Sequence, residues 1–154
     1  MMYNWFECKI KYDKTGDDGI IKTVSESYLV DALSFTEAEE RMNREMKPFI
    51  SGEFLIANIK RAKIAELFDS EDESSDKWYR SKVNFVTLDE EKGIEKRVAS
   101  TMYVKATDMK NALTNLIDGM KGTLADYEIA SIVETPILDV YPYEAADSVP
   151  PVLS

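Results

Sequence analysis

The sequence predicts an α+β fold: two tandem ββαβ repeats related by a pseudo-twofold axis, with helices packed on antiparallel sheet. Three observations lead there. Sliding the chain against itself by the distance from Trp5 to Trp78 produces ordered matches across both halves. Strand-like alternation of apolar and polar residues opens each half. An amphipathic helical segment follows each paired stretch.

The matches begin with Trp5 and Lys9 against Trp78 and Lys82. They continue through Gly19-Ile20 and Gly93-Ile94, Val30 and Val104, Ala38 and Ala112, and Met46-Lys47 and Met120-Lys121. They end with Ile56 and Ile59 against Ile129 and Ile132, and Phe68 against Tyr141. Only single-residue shifts interrupt the order, as expected of a duplicated unit.

In the first repeat, residues 1–68, the segment Tyr3–Asp13 puts Phe6, Cys8, Ile10 and Tyr12 on one face. Trp5, Glu7, Lys9 and Lys11 occupy the other. The run Lys14–Gly19 has the glycines and aspartates of a hairpin turn, and a second strand is expected from Ile20 to Ala32. Ser34 can cap a helix, with Glu37 reaching back to it. Phe35, Ala38, Met42, Met46 and Phe49 then form an apolar stripe. Glu53–Phe68 is extended, with a break near Ala62.

An acidic linker is expected over residues 69–77. The second repeat, 78–142, repeats the pattern. Strands span Lys77–Leu88 and Gly93–Ala106, and Asp108 caps a helix with Met109, Ala112, Leu113, Leu116, Ile117 and Met120 turned inward. Tyr127–Tyr141 is extended and broken at Pro136, opposite Lys63, because proline cannot donate within a ladder. Residues 143–154, rich in proline and alanine, read as a flexible tail.

The formal net charge is −10. It is distributed as −2 over residues 1–68, −4 over 69–77 and −4 over 78–154. Such acidity opposes loose attraction to nucleic acid or anionic membrane. The chain has no histidine and one cysteine, Cys8. Ser/His/Asp hydrolysis, Cys–His catalysis, histidine-ligated zinc and an internal disulfide are thereby excluded. Cys8 reads as a small buried hydrophobe. The sequence carries no glycine-rich phosphate loop: Gly119-Met120-Lys121-Gly122 falls at a helix C-terminus, the wrong end for an anion. The acidic run from Asp69 to Glu73 lacks the glycine and spaced glutamate of a calcium loop. No catalytic residue, metal or cofactor is expected. With no signal-like leader and no membrane-spanning apolar run, the expected compartment is the cytoplasm.

One constellation stands apart. The outer face of the first strand of each repeat carries a tryptophan followed by basic groups: Trp5, Lys9 and Lys11, then Trp78, Arg80 and Lys82. Exposed, these could stack bases and neutralise phosphates of a single-stranded nucleic acid. Covered, they would serve packing or oligomerisation. Two function classes follow: a non-enzymatic protein-interaction or assembly module, with a protein partner or self-association, and a single-stranded nucleic-acid-binding protein.

The strings Asn4–Lys9, Tyr28–Ala32, Ser34–Glu39 and Ala125–Ile132 resemble an uncharacterised family of about this length associated with Bacteroidetes bacteria and their phages. The resemblance spans Asn4 to Tyr143. It implies a bacterial or phage origin and brings no activity or site residues with it.

Overall fold

The computed structural model describes residues 4–143. The hairpin of β1 (Trp5–Thr15) and β2 (Ile21–Asp31) holds one antiparallel register from Trp5 opposite Asp31 to Thr15 opposite Ile21. Gly19 turns it with φ 78°, a left-handed conformation that glycine adopts without steric cost. Helix α1 (Phe35–Met46), β3 (Phe54–Ala62) and the short β4 (Glu66–Phe68) follow. The same order recurs as β5 (Lys77–Asp89), β6 (Ile94–Ala106), α2 (Met109–Gly119), β7 (Asp126–Glu134) and β8 (Ile137–Tyr141). Both expected breaks are present, between Ala62 and Glu66 and at Pro136. The segment anticipated as a flexible tail lies outside the described residues from 144 onward.

The α+β class is as expected, with two four-stranded sheets. The first is ordered β3, β1, β2, β8, and the second β4, β6, β5, β7. Strand β4 pairs parallel with β6, setting Glu66, Leu67 and Phe68 beside Met102, Tyr103 and Val104. Strand β8 lies beside β2. Each sheet is thus completed by a strand from a distant part of the chain. Among the described residues, one compact unit comprises residues 4–62 and 139–143, and the other Lys63–Leu138.

Each unit has its own core. In the first, Phe6, Cys8, Ile10, Val30 and Ala32 of the sheet meet Ala38, Met42 and Met46 of α1. In the second, Tyr79, Val83, Met102, Val104 and Ala106 meet Ala112, Leu116 and Met120. Burying a large apolar side chain contributes about 1.5–3 kcal/mol, so these stripes hold the helices in place. Ser34 Oγ accepts from the Glu37 amide at 3.1 Å, and Glu37 Oε1 accepts from the Leu33 amide at 3.1 Å. Asp108 caps α2 by accepting from the Asn111 amide at 2.8 Å. Asn111 Oδ1 accepts from the Thr107 amide at 3.0 Å, a reciprocal cap in which Asn stands in the place of Glu.

The inward helical stripes are narrower than the apolar spacing suggests. Phe49 is 76% exposed, and Met109, Leu113 and Ile117 are 55%, 40% and 43% exposed. Phe35 is partly exposed and sets its ring edge-on to Phe6 at 4.8 Å. Gly119 explains how α2 is seated: a Cβ there would lie 2.6 Å from the Phe68 ring of β4. Gly119→Ala is therefore expected to destabilise the chain by about 1–3 kcal/mol through overpacking. Gly52, with nothing near its Cβ position, should tolerate alanine within ~0.5 kcal/mol. Denaturant unfolding of the two variants checks this; equal midpoints would contradict it.

Candidate functional site

The two tryptophans lie at the N-terminal ends of β1 and β5. Trp5 sits between Asp31 and Ala62, and Trp78 is aligned with Lys105. Both are buried, at 8% and 1% exposure. Lys105 Nζ lies 6.0 Å from the Trp78 ring centroid. Neither indole is available to stack a base, which removes the aromatic half of the nucleic-acid constellation. Alternation assigned the correct strand face, but that face is itself covered near these ends: Leu29 and Tyr103 on it are buried too.

The basic half remains exposed. Lys9 lies between Ser27 and Asn58, Lys11 between Ser25 and Leu55, Arg80 between Tyr103 and Val133, and Lys82 between Thr101 and Ser131. Each unit carries one triplet on one strand. No strong positive field results, because acids share both faces. Lys60 Nζ meets Glu7 at 3.3 Å, and Arg97 Nε meets Glu128 at 2.6 Å. Asp13 on the same face accepts a hydrogen bond from Thr23 Oγ1.

Cys8 is fully buried in the first core, and burial pushes its thiol up to about 12. The thiolate, the nucleophilic form, is negligible at neutral pH. Asp31 is buried beside Trp5. Loss of hydration raises its carboxyl, and hydrogen bonds from the Asn4 and Tyr143 backbones oppose that rise. Among the described residues, no three carboxylate or cysteine side chains gather as a metal site, and no helix is long and apolar enough to cross a membrane.

The surface that stands out is the flank of α2. Met109, Leu113 and Ile117, four residues apart, form an exposed apolar stripe. The opposite flank is anchored toward β6 and β4: Asn115 Nδ2 donates to the Lys105 carbonyl at 3.0 Å, and Gly119 meets Phe68. The stripe therefore lies toward the β7 side, where Tyr127, Ile129 and Ile132 are half-buried against the core. Among the described residues, strand β7 is a sheet edge with only β5 beside it. The aligned positions of α1 are Glu39 and Asn43 where α2 has Leu113 and Ile117. Sequence reasoning took the stripe for core; its signal was this polar-to-apolar difference between aligned helices.

Residues 4–143 match the family described as a domain of unknown function, DUF4494, and the chain belongs to it. No curated protein and no solved structure matches the chain.

Burial sets one expectation for this site. Single-stranded oligonucleotides at low salt should leave the tryptophan fluorescence unchanged, and Cys8 should resist thiol reagents until the chain unfolds. Saturable quenching, or rapid native-state labelling, would contradict the buried geometry.

Proposed function

We propose that this member of the family is a non-enzymatic protein-interaction or assembly module of bacterial or phage origin, acting in the cytoplasm of its host. One observation carries the reading: an exposed apolar stripe on α2, Met109, Leu113 and Ile117, flanks the open sheet edge β7. An apolar shelf beside unpaired backbone suits an extended segment of another protein, whose main chain adds to the sheet while its side chains fill the shelf. At two of the three matching positions α1 is polar, with Glu39 and Asn43 in place of Leu113 and Ile117, so those two apolar residues are not a by-product of helix packing.

The lack of histidine and the inert thiol of Cys8 support the non-enzymatic side. The bacterial or phage origin rests on the resemblance of Asn4–Tyr143 alone. The nucleic-acid alternative keeps Lys9, Lys11, Arg80 and Lys82 but lacks an accessible indole. Without stacking, roughly 1–3 kcal/mol per base is missing, and a chain of net charge −10 supplies little to replace it.

Photo-crosslinking in a bacterial cell tests the reading. A benzophenone side chain replacing Leu113 should give a discrete protein adduct, and the same group replacing Asp17 in the exposed β1–β2 turn should give none. Adding Ile117→Glu should abolish the adduct without altering the fold. Equal labelling from both positions, or none from either, would overturn it.

A further inference from the structure

Resting on the interaction-module reading, we propose that the partner of the open edge β7 is the open edge β3 of a second copy of this chain. The strands pair antiparallel, with Ile129 opposite Ile59, Ile132 opposite Ile56 and Glu128 opposite Lys60.

Both strands are edges. Among the described residues, strand β3 has only β1 beside it, and β7 only β5. Their charges are of opposite sign. Strand β3, Phe54–Ala62, carries Lys60 and Arg61 and no acid. Strand β7, Asp126–Glu134, carries Asp126, Glu128 and Glu134 and no base. Pairing β7 with β7 about Ala130 sets Asp126 opposite Glu134, which is destabilising, and pairing β3 with β3 brings no opposite charges together. The mixed pair does not suffer this, so charge selects a heterologous contact.

The register satisfies side chains on both faces. On the helix side, Ile56 meets Ile132, Ile59 meets Ile129, and Arg61 meets Tyr127. On the outer side, Leu55 and Val133, 63% and 46% exposed, come opposite one another. Lys60 comes opposite Glu128. Lys60 already contacts Glu7 at 3.3 Å, and Glu128 contacts Arg97 at 2.6 Å. The contact therefore creates a row of alternating sign: Glu7, Lys60, Glu128, Arg97.

The irregularities also match. Against β1, the β3 register steps from Asn58 to Ile56 and skips Ala57. Against β5, the β7 register steps from Ser131 to Ile129 and skips Ala130. A bulge normally protects an edge by bending it away from flat partners. In the proposed register Ala57 faces Ser131 and Asn58 faces Ala130, so the two bends coincide. Residues 54–56 and 59–62 remain free to pair with 132–134 and 126–129. Each copy carries both edges, so the contact repeats into a ring or a chain.

Sedimentation velocity on the full chain, over a range of concentration and salt, tests this. Association should rise with concentration and fall with salt. Lys60→Glu or Glu128→Lys alone should weaken it roughly fivefold or more, and the charge-swapped chain carrying both should recover part of it, since each swapped charge then meets a like neighbour, Glu7 or Arg97, within its own copy. All these side chains are exposed, so circular dichroism should stay unchanged. A Leu55→Cys chain mixed with a Val133→Cys chain should form a disulfide-linked pair on oxidation, while each alone should not, Cys8 being buried. A monomer at every concentration overturns the inference. So does association indifferent to both charge reversals and lacking the 55–133 link. In either case the interaction-module reading survives if the adduct from position 113 is still formed, and falls with it if that adduct is absent too.

Discussion

Both sheets depend on covering the outer side of the second strand of each hairpin. A long strand buried on one face cannot leave its backbone groups unpaired without inviting wrong partners. In the second sheet the need is greatest where β6 is most deeply buried, at Met102, Tyr103 and Val104. Those are the three residues that β4 covers. Phe68 of β4 also packs into that core and meets Gly119 of α2, so one short strand fixes both the edge of the sheet and the seat of the helix. In the first sheet β8 takes the matching place beside β2, where Leu29 and Val30 are fully buried and Tyr141 stacks near Tyr28 at 6.1 Å. At the other end of each sheet, β3 and β7 are edge strands among the described residues.

This seating gives α2 its surface. With its Asn115 and Gly119 flank held by β6 and β4, the helix presents Met109, Leu113 and Ile117 outward. Nothing in the core requires Leu113 and Ile117 to be apolar, since α1 packs comparably with Glu39 and Asn43 at the aligned positions. An edge strand, an apolar flank and an acidic strand coincide at β7. Strand β3 offers the basic counterpart.

Much of the fold was legible because it is local. Period-two alternation marked both hairpins, Ser34 and Asp108 marked the helix starts, and Pro136 marked the last break. Pairing of β4 with β6 was not legible, because it joins residues far apart in the chain and a three-residue strand carries no period. Whether the tryptophans are covered stayed open in the sequence for a related reason. Alternation tells which face a side chain occupies, but not whether that face is covered, and Trp5 and Trp78 stand where it is. The apolar spacing of α2 did mislead. A helix can carry a wider apolar arc than its neighbours cover, and only the anchored flank shows which part stays exposed.

The reliance of each sheet on a distant strand is open to one direct measurement: denaturant unfolding of the isolated fragment 1–68, followed by circular dichroism. That fragment contains β1, β2, α1 and β3, lacks β8, and holds β4 without its partner β6. It should show no cooperative transition alone and should gain one when the fragment 69–154 is added. A cooperative, monomeric transition of 1–68 by itself would contradict the dependence of the first sheet on β8.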